Sequence, residues 1–156
     1  MKVLVTGVGG AAGRHVNQLL RQHGYEVIGV DGQPVYLPEL TTFYQAPAVC
    51  DPAYVAWLAD TAVTADLLIP TVPEELLKAA TAQDGLPCPA LIASVTAVSI
   101  AHDQYITAQS LTAANLPVPR FARPSALATA ADVSRQVGWP CLSKPRFNRN
   151  RRCGGG

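Results

Sequence analysis

Two groups of residues in this 156-residue sequence have the types and spacing to handle phosphate. Near the start lies Thr6-Gly7-x-x-Gly10-x-x-Gly13, followed eighteen residues after Gly13 by Asp31. At the other end, Cys141-Leu142-Ser143-Lys144-Pro145-Arg146 leads to a glycine run, Gly154-Gly155-Gly156. Glycines let backbone N–H groups approach an anion closely, and a lysine at the mouth of such a loop adds a mobile point charge. Lys144, Arg146, Gly154 and Gly155 are therefore candidates for holding a nucleotide's phosphates. Gly7, Gly10 and Gly13 are candidates for closing around a substrate phosphate. Asp31 would accept from a ribose diol, and Glu75 would contact substrate. Each has a plainer role: a basic tail, glycines that serve packing alone, a strand-end cap, and a first-turn carboxylate favoured by the helix dipole.

The elements that would position the first group read as alternating strands and helices. Lys2-Val3-Leu4-Val5-Thr6 is a β-branched run suited to a buried parallel strand. The glycine turn leads to a helix with Val16, Leu19 and Leu20 as its apolar stripe, ended by Gly24. Glu26 to Asp31 is a second strand, which completes the layout of a dinucleotide or mononucleotide fold. Gly32 to Pro52 is spotted with proline and reads as loop. Asp51-Pro52 would then start a helix as N-cap and N1. Ala65 to Thr71 and Ala90 to Ser94 read as third and fourth strands, with a helix from Pro73 between them. Gly7 to Gly13, Asp31, Thr71 to Glu75 and Ser94 would gather at the carboxyl edge of the sheet, where ligands of such sheets bind.

Composition narrows the classes. Apolar residues make up 49% and charged ones 15%, which excludes a disordered chain. The net charge of +1 hides an asymmetry: five of twelve basic residues fall in the last thirteen positions, leaving seven against eleven acids elsewhere. No aromatic follows Phe147 to stack on bases, so small-nucleotide phosphate suits that tail and nucleic acid is not expected. Cys50, Cys88, Cys141 and Cys153 show no metal spacing, and no metal ligand set is assigned. The unpatterned thiols and the lack of an apolar run of ~18 residues suggest a cytoplasmic protein without a membrane span.

The second half has a different order. Asp103-Gln104-Tyr105 opens a helix, Leu116-Pro117-Val118-Pro119 is extended, and Ser125 would cap an alanine-rich helix closed by Gly138. Cys141 to Lys144 would be a strand. This order, with Gly138-Trp139-Pro140-x-x-x-Lys144-Pro145-Arg146, resembles the opening of an ATP-grasp domain. The nearest likeness is to carbamoyl-phosphate-synthase-like ATP-grasp ligases, with Ile69-Pro70-Thr71-Val72-Pro73-Glu74-Glu75-Leu76 in the matching place. The resemblance implies an α/β chain. A Rossmann-like parallel sheet with flanking helices, the pre-ATP-grasp domain, spans 1–100, and the start of an ATP-grasp subdomain spans 101–156.

The resemblance also implies an ATP-dependent carboxylate–amine ligase acting through an acyl phosphate, with ATP as cofactor and a small-molecule carboxylate as substrate. Lys144 would contact ATP phosphate beneath the glycine-rich loop. The family's Mg²⁺-binding residues lie farther downstream, so Mg would belong only to a full-length form. This chain is therefore expected to be a non-catalytic N-terminal fragment, truncated or frame-shifted. An unpaired sheet edge would favour self-association, such as a homodimer. Two departures stand out: Gln104 replaces a basic residue, and Asn148 to Cys153 is bulkier and more basic than the usual loop. The alternative is an NAD(P)-binding protein of the short-chain dehydrogenase or epimerase type, whose glycine spacing Thr6 to Gly13 matches. Those enzymes use a Tyr-x-x-x-Lys pair, and no tyrosine here has lysine four residues on.

Overall fold

A computed structural model describes residues 1–40 and 42–147. Two compact units divide between Val98 and Ser99. Gly154 and Gly155 lie outside the described residues.

The first unit is an α/β fold with a Rossmann-like parallel sheet flanked by helices. Strand β1 (Lys2–Thr6) leads through the glycine turn to helix α1 (Ala11–Gln22), and β2 (Glu26–Asp31) returns parallel to β1. Strand β3 (Thr42–Gln45), helix α2 (Tyr54–Ala62), strand β4 (Leu67–Ile69) and helix α3 (Pro73–Thr81) follow. The sheet order is β3-β2-β1-β4, all parallel. The order reverses direction at β1, so the crevice beside it is a topological switch point.

Burial on both faces explains why β1 and β2 read as continuous apolar runs. Side chains alternate across a strand, and two cores result. Leu4, Ile28, Val30 and Leu68 pack with Tyr54, Leu58 and Ala62 of α2 and Ala79 of α3. Val3, Val5 and Val27 pack on the other face with Val8 and with the half-buried Val16 and Leu20 of α1.

Helix α1 differs from its expected stripe. Leu19 is exposed, and Gly13 and Asn17 are the residues it buries. The reason is closeness: a Cβ on Gly13 would lie 2.1 Å from the Gly7 carbonyl oxygen, so the helix meets the turn backbone to backbone. Gly24, at φ +79°, follows the helix end as expected.

Other expectations are corrected. Gly32 to Pro52 is not wholly loop, because Thr42–Gln45 pairs with β2 from Ile28 to Asp31. Four residues with three prolines nearby gave too short a pattern to register as a strand. Helix α2 starts two residues later than expected: Asp51 instead closes a turn, its side chain accepting from Ala53 N at 2.8 Å and its carbonyl from Tyr54 N at 3.1 Å. Ala90 to Ser94 is not a strand. Ala90 makes one isolated parallel bridge to Leu68, flanked by hydrogen bonds from Leu68 N to Pro89 O and from Leu91 N to Leu68 O. The chain then turns into a helix not foreseen, α4 (Val95–His102), where Ser94 Oγ accepts from Ala97 N.

In the second unit, α5 (Gln104–Ala113) is capped by Asp103, whose carboxylate accepts from Tyr105 N and Ile106 N. Asn115, at φ 57°, stands in the left-handed region just past its end. Ser125 caps nothing, lying in a short 3-10 turn (Pro124–Ala126), and the helix behind it is α6 (Ala130–Gln136), capped by Thr129. Thr129 and Asp132 form the reciprocal capping box: Asp132 N donates to Thr129 Oγ1 and Thr129 N to Asp132 Oδ2. The Ser-x-x-Ala sequence at 125 lacks the acid that makes Thr129 the better cap. Cys141 to Lys144 is not a strand; Phe147 alone bridges to Asp103.

The tight contact at Gly13 has a measurable consequence. Gly13→Ala is expected to cost about 1–3 kcal/mol or more by overpacking against the Gly7 carbonyl. Urea unfolding of the full chain should show this as a lower midpoint with an unchanged slope.

Candidate functional site

The carboxyl edge of the first unit's sheet holds a cavity of about 240 Å³. Its lining comes from the end of every strand: Thr6 and Gly7 after β1, Val30 to Gln33 from β2, Ala46 to Val49 after β3, and Val72, Glu74 and Glu75 after β4. Tyr54 of α2 completes it. Three of the sequence-derived candidates, Gly7, Asp31 and Glu75, are brought together here. Ser94, expected at the same edge, is not among the lining residues.

Gly10 and Gly13 do not line the cavity; they shape the turn that does. Gly10 N donates to Gly7 O at 2.9 Å, and Arg14 N to Gly10 O at 2.9 Å, as the chain enters α1. Gly7 has φ +65°, and a Cβ there would sit 2.7 Å from Val72 Cγ2, so the turn is closed against the loop after β4. Helix α1 begins with no side-chain cap and no acid in its first turn. Its first N–H groups and the positive end of its dipole are thus suited to an anion.

Asp31, at the end of β2, is buried and accepts from Gly9 N at 2.9 Å and from Gln33 N at 3.0 Å. It ties the glycine turn to the loop after β2 while lining the cavity. A carboxylate at the end of the second strand is the kind of acceptor that ribose hydroxyls use.

The floor is a buried polar cluster that the sequence reading only touched. Glu75, 1% exposed, accepts from the Thr6 hydroxyl, from the Tyr54 hydroxyl, and from Val72 N at 3.3 Å. Thr6 Oγ1 accepts from Thr71 N at 3.1 Å, and the Thr71 hydroxyl donates to Thr6 O at 2.6 Å. The first-turn role of Glu75 is therefore real, since it accepts from the amide just before α3, and it extends to β1 and α2. Burial pushes the Glu75 carboxyl above its ordinary value, against the four hydrogen-bonding groups around it, which favour the charged form. Burial, with Glu75's charge second, pushes the Tyr54 phenol beyond the ordinary tyrosine range, so Tyr54 stays a donor. Thr6 was visible as part of the glycine motif. Tyr54 entered the sequence analysis only as one of the tyrosines without a lysine four residues on.

The remaining candidates lie in the second unit. Lys144 is exposed, and its Nζ donates to Gln104 Oε1 at 2.7 Å. Arg146 Nε donates to both Asp103 oxygens, at 2.9 and 2.7 Å, and its Nη2 lies 2.5 Å from Oδ2. Those bonds with Arg146, helped by the α5 amides, hold the Asp103 carboxyl at about 2. The Arg123 guanidinium lies 4.3 Å from the centre of the Tyr105 ring, a cation–π contact. Among the described residues no group of three or more His, Cys, Asp or Glu side chains is placed to hold a metal ion. No helix among them is long and apolar enough to cross a membrane.

Comparison with solved structures gives a fold likeness to glycinamide-RNase-transformylase T from Mycobacterium tuberculosis. Identity is 18% and the TM-score 0.60, over 78% of this chain and 37% of that one. This chain thus spans little more than a third of that protein's length. WbmH from Bordetella bronchiseptica, solved with NAD+, is 28% identical over 48% of this chain and 28% of its own, with a TM-score of 0.35. MoeE5, solved with UDP-glucuronic acid and NAD, is 24% identical over 47% and 23%, with a TM-score of 0.37. No curated protein matches. Residues 3–116, most of the chain and all of the cavity's lining, match the NAD dependent epimerase/dehydratase family, and to that family the chain belongs.

Proposed function

We propose that the unit Met1–Val98 binds NAD at the carboxyl edge of its sheet. The observation that carries this is the meeting, in one cavity, of the Gly7 turn and the buried carboxylate of Asp31. The pyrophosphate would lie on the turn and the N-terminus of α1, and the adenosine ribose would give its hydroxyls to Asp31. The apolar stretch Ala46 to Val49 would flank the adenine. Family membership supports the same ligand.

Asp31 also sets the choice between cofactors. A carboxylate at the ribose repels a 2′-phosphate, and no lysine or arginine occurs between Gly32 and Gln45 to receive one. NAD is thus preferred to NADP. No tyrosine in the sequence has lysine four positions on, so no proton-transfer pair is assigned.

A second reading, the front part of an ATP-grasp ligase with ATP and, in a full-length form, Mg²⁺ as its cofactors, rests on the sequence resemblance of the second half, although the strand expected at Cys141 to Lys144 does not form. The fold likeness to the Mycobacterium enzyme, over 78% of this chain, is consistent with it. Lys144 would be the phosphate contact there, and release of its Nζ from Gln104 would be required. Arg146, placed with the ATP contacts by sequence, is engaged by Asp103.

Fluorescence titration separates the two. NADH is expected to bind saturably, NADPH more weakly, and Asp31→Ala to weaken NADH about ten- to a hundredfold, as for a lost hydrogen bond to a charged group. NADH binding unchanged in Asp31→Ala would refute the assignment. On the ligase reading, ATP would bind and NADH would not, and Lys144→Ala would abolish the ATP binding.

A further inference from the structure

The cavity has an unusual charge pattern for a site that takes a dianionic ligand. Its lining carries Asp31, Glu74 and Glu75 and, among the described residues, no lysine, arginine or histidine. Of the three acids, Glu75 is the most enclosed, at 1% exposure, and sits directly behind Thr6, one residue before the glycine turn.

The groups facing Glu75 come from every element packed on it. From β1 there is the Thr6 hydroxyl, from α2 the Tyr54 hydroxyl, and from the loop after β4 the Val72 amide. On α3 its neighbours in sequence are Glu74 and, a turn on, Lys78, whose Nζ is turned to the Asp51 carbonyl at 3.5 Å. From β2, Asp31 lines the same cavity. None of the groups that hydrogen-bond to the Glu75 carboxylate here, the Thr6 and Tyr54 hydroxyls and the Val72 amide, is a cation. Tyr54 keeps its proton, which leaves Glu75 as the member of this cluster that titrates.

Both protonation states fit the cluster. Ionised, the carboxylate accepts from the Thr6 and Tyr54 hydroxyls and the Val72 amide, with the Thr71 amide also favouring the charge. Neutral, its O–H can donate to Thr6 Oγ1 or Tyr54 Oη, hydroxyls that accept as readily as they donate. Protonation therefore removes a negative charge from under the phosphate-binding turn without breaking the link between β1, α2 and α3.

We propose that NAD binding at this cavity is coupled to proton uptake at Glu75, the site holding its ligand more tightly when Glu75 is neutral. This rests on the dinucleotide reading above. The sign follows from linkage: a bound pyrophosphate makes the charged form of Glu75 less favourable, so binding draws in a proton, and by reciprocity a proton strengthens binding. The Glu75 value is raised in the free protein by burial, and the ligand raises it further.

The test is the pH dependence of NADH affinity from the ordinary carboxylate range upward, the direction in which burial moves Glu75. In the intact chain the dissociation constant should rise with pH, by up to about tenfold per unit at full coupling. Calorimetry in buffers of different ionisation enthalpy should show proton uptake on binding. Glu75→Gln, which keeps the shape and imitates the neutral form by accepting through one oxygen and donating through its amide, should bind NADH with a flat profile. A Glu75→Gln protein with the wild-type slope would overturn the coupling, as would tight binding by the wild type with no proton exchanged. If Glu75→Gln does not fold, the wild-type calorimetry alone decides. Failure of NADH to bind at any pH would instead refute the dinucleotide reading itself.

Discussion

The first unit depends on one buried carboxylate. Glu75 has no exposed surface to speak of, yet it holds β1, α2 and the start of α3 through Thr6, Tyr54 and Val72. Leaving any buried partner unsatisfied costs about 1–3 kcal/mol, so the three elements are bound to a common geometry. That geometry sets the cavity floor, and the paired Thr6–Thr71 bonds set how closely β1 lies to the loop after β4. Hydrophobic burial makes the sheet and the strand order places its switch point, and this cluster holds the elements that floor the crevice there.

The second constraint is the closeness of backbone to backbone at the glycine turn. Gly13 approaches the Gly7 carbonyl backbone to backbone, and Gly7 lies against the Val72 and Thr71 side chains at a positive φ. Asp31 then ties the same turn to β2 through Gly9 N. Sites built on several strand ends are positioned by the whole sheet rather than by one loop, and here every strand contributes to a single cavity. The second unit is organised by a different pair, Asp103 and Arg146. Asp103 serves both as the cap of α5 and as the partner of a residue forty-three positions away.

Much of this was legible in the residues. The β-branched runs at Lys2–Thr6 and Glu26–Asp31, the glycine spacing between them and the terminal acid gave the Rossmann-like layout, because strand burial and turn geometry are local demands. The opening of a helix at Asp103-Gln104-Tyr105 was equally local, and the structure adds that Asp103 caps it. What failed was non-local. Thr42–Gln45 is a strand only because β2 is there to pair with it. Ala90–Ser94 looks like a strand but meets only Leu68. Asn17, not Leu19, faces inward on α1, because the close approach at Gly13 rotates the helix's buried side. Tyr54 and Glu75 are twenty-one residues apart, and nothing in their spacing announces that the two hydrogen-bond. The likeness to ATP-grasp proteins and the membership of the epimerase/dehydratase family converge on the same Rossmann-like sheet, and they part over which nucleotide is expected and where on the chain it would bind.

That choice is settled most directly by locating the ligand on the protein. In the amide spectrum of the nitrogen-15-labelled full chain, titration with NAD should move the amides of Gly7, Gly9, Gly10 and Gly13, of Asp31 to Gln33, and of Ala46 and Ala48 to Val49, saturably and together. If NAD left those amides still while Mg-ATP shifted the residues around Lys144, the dinucleotide site at the edge of this sheet would be contradicted.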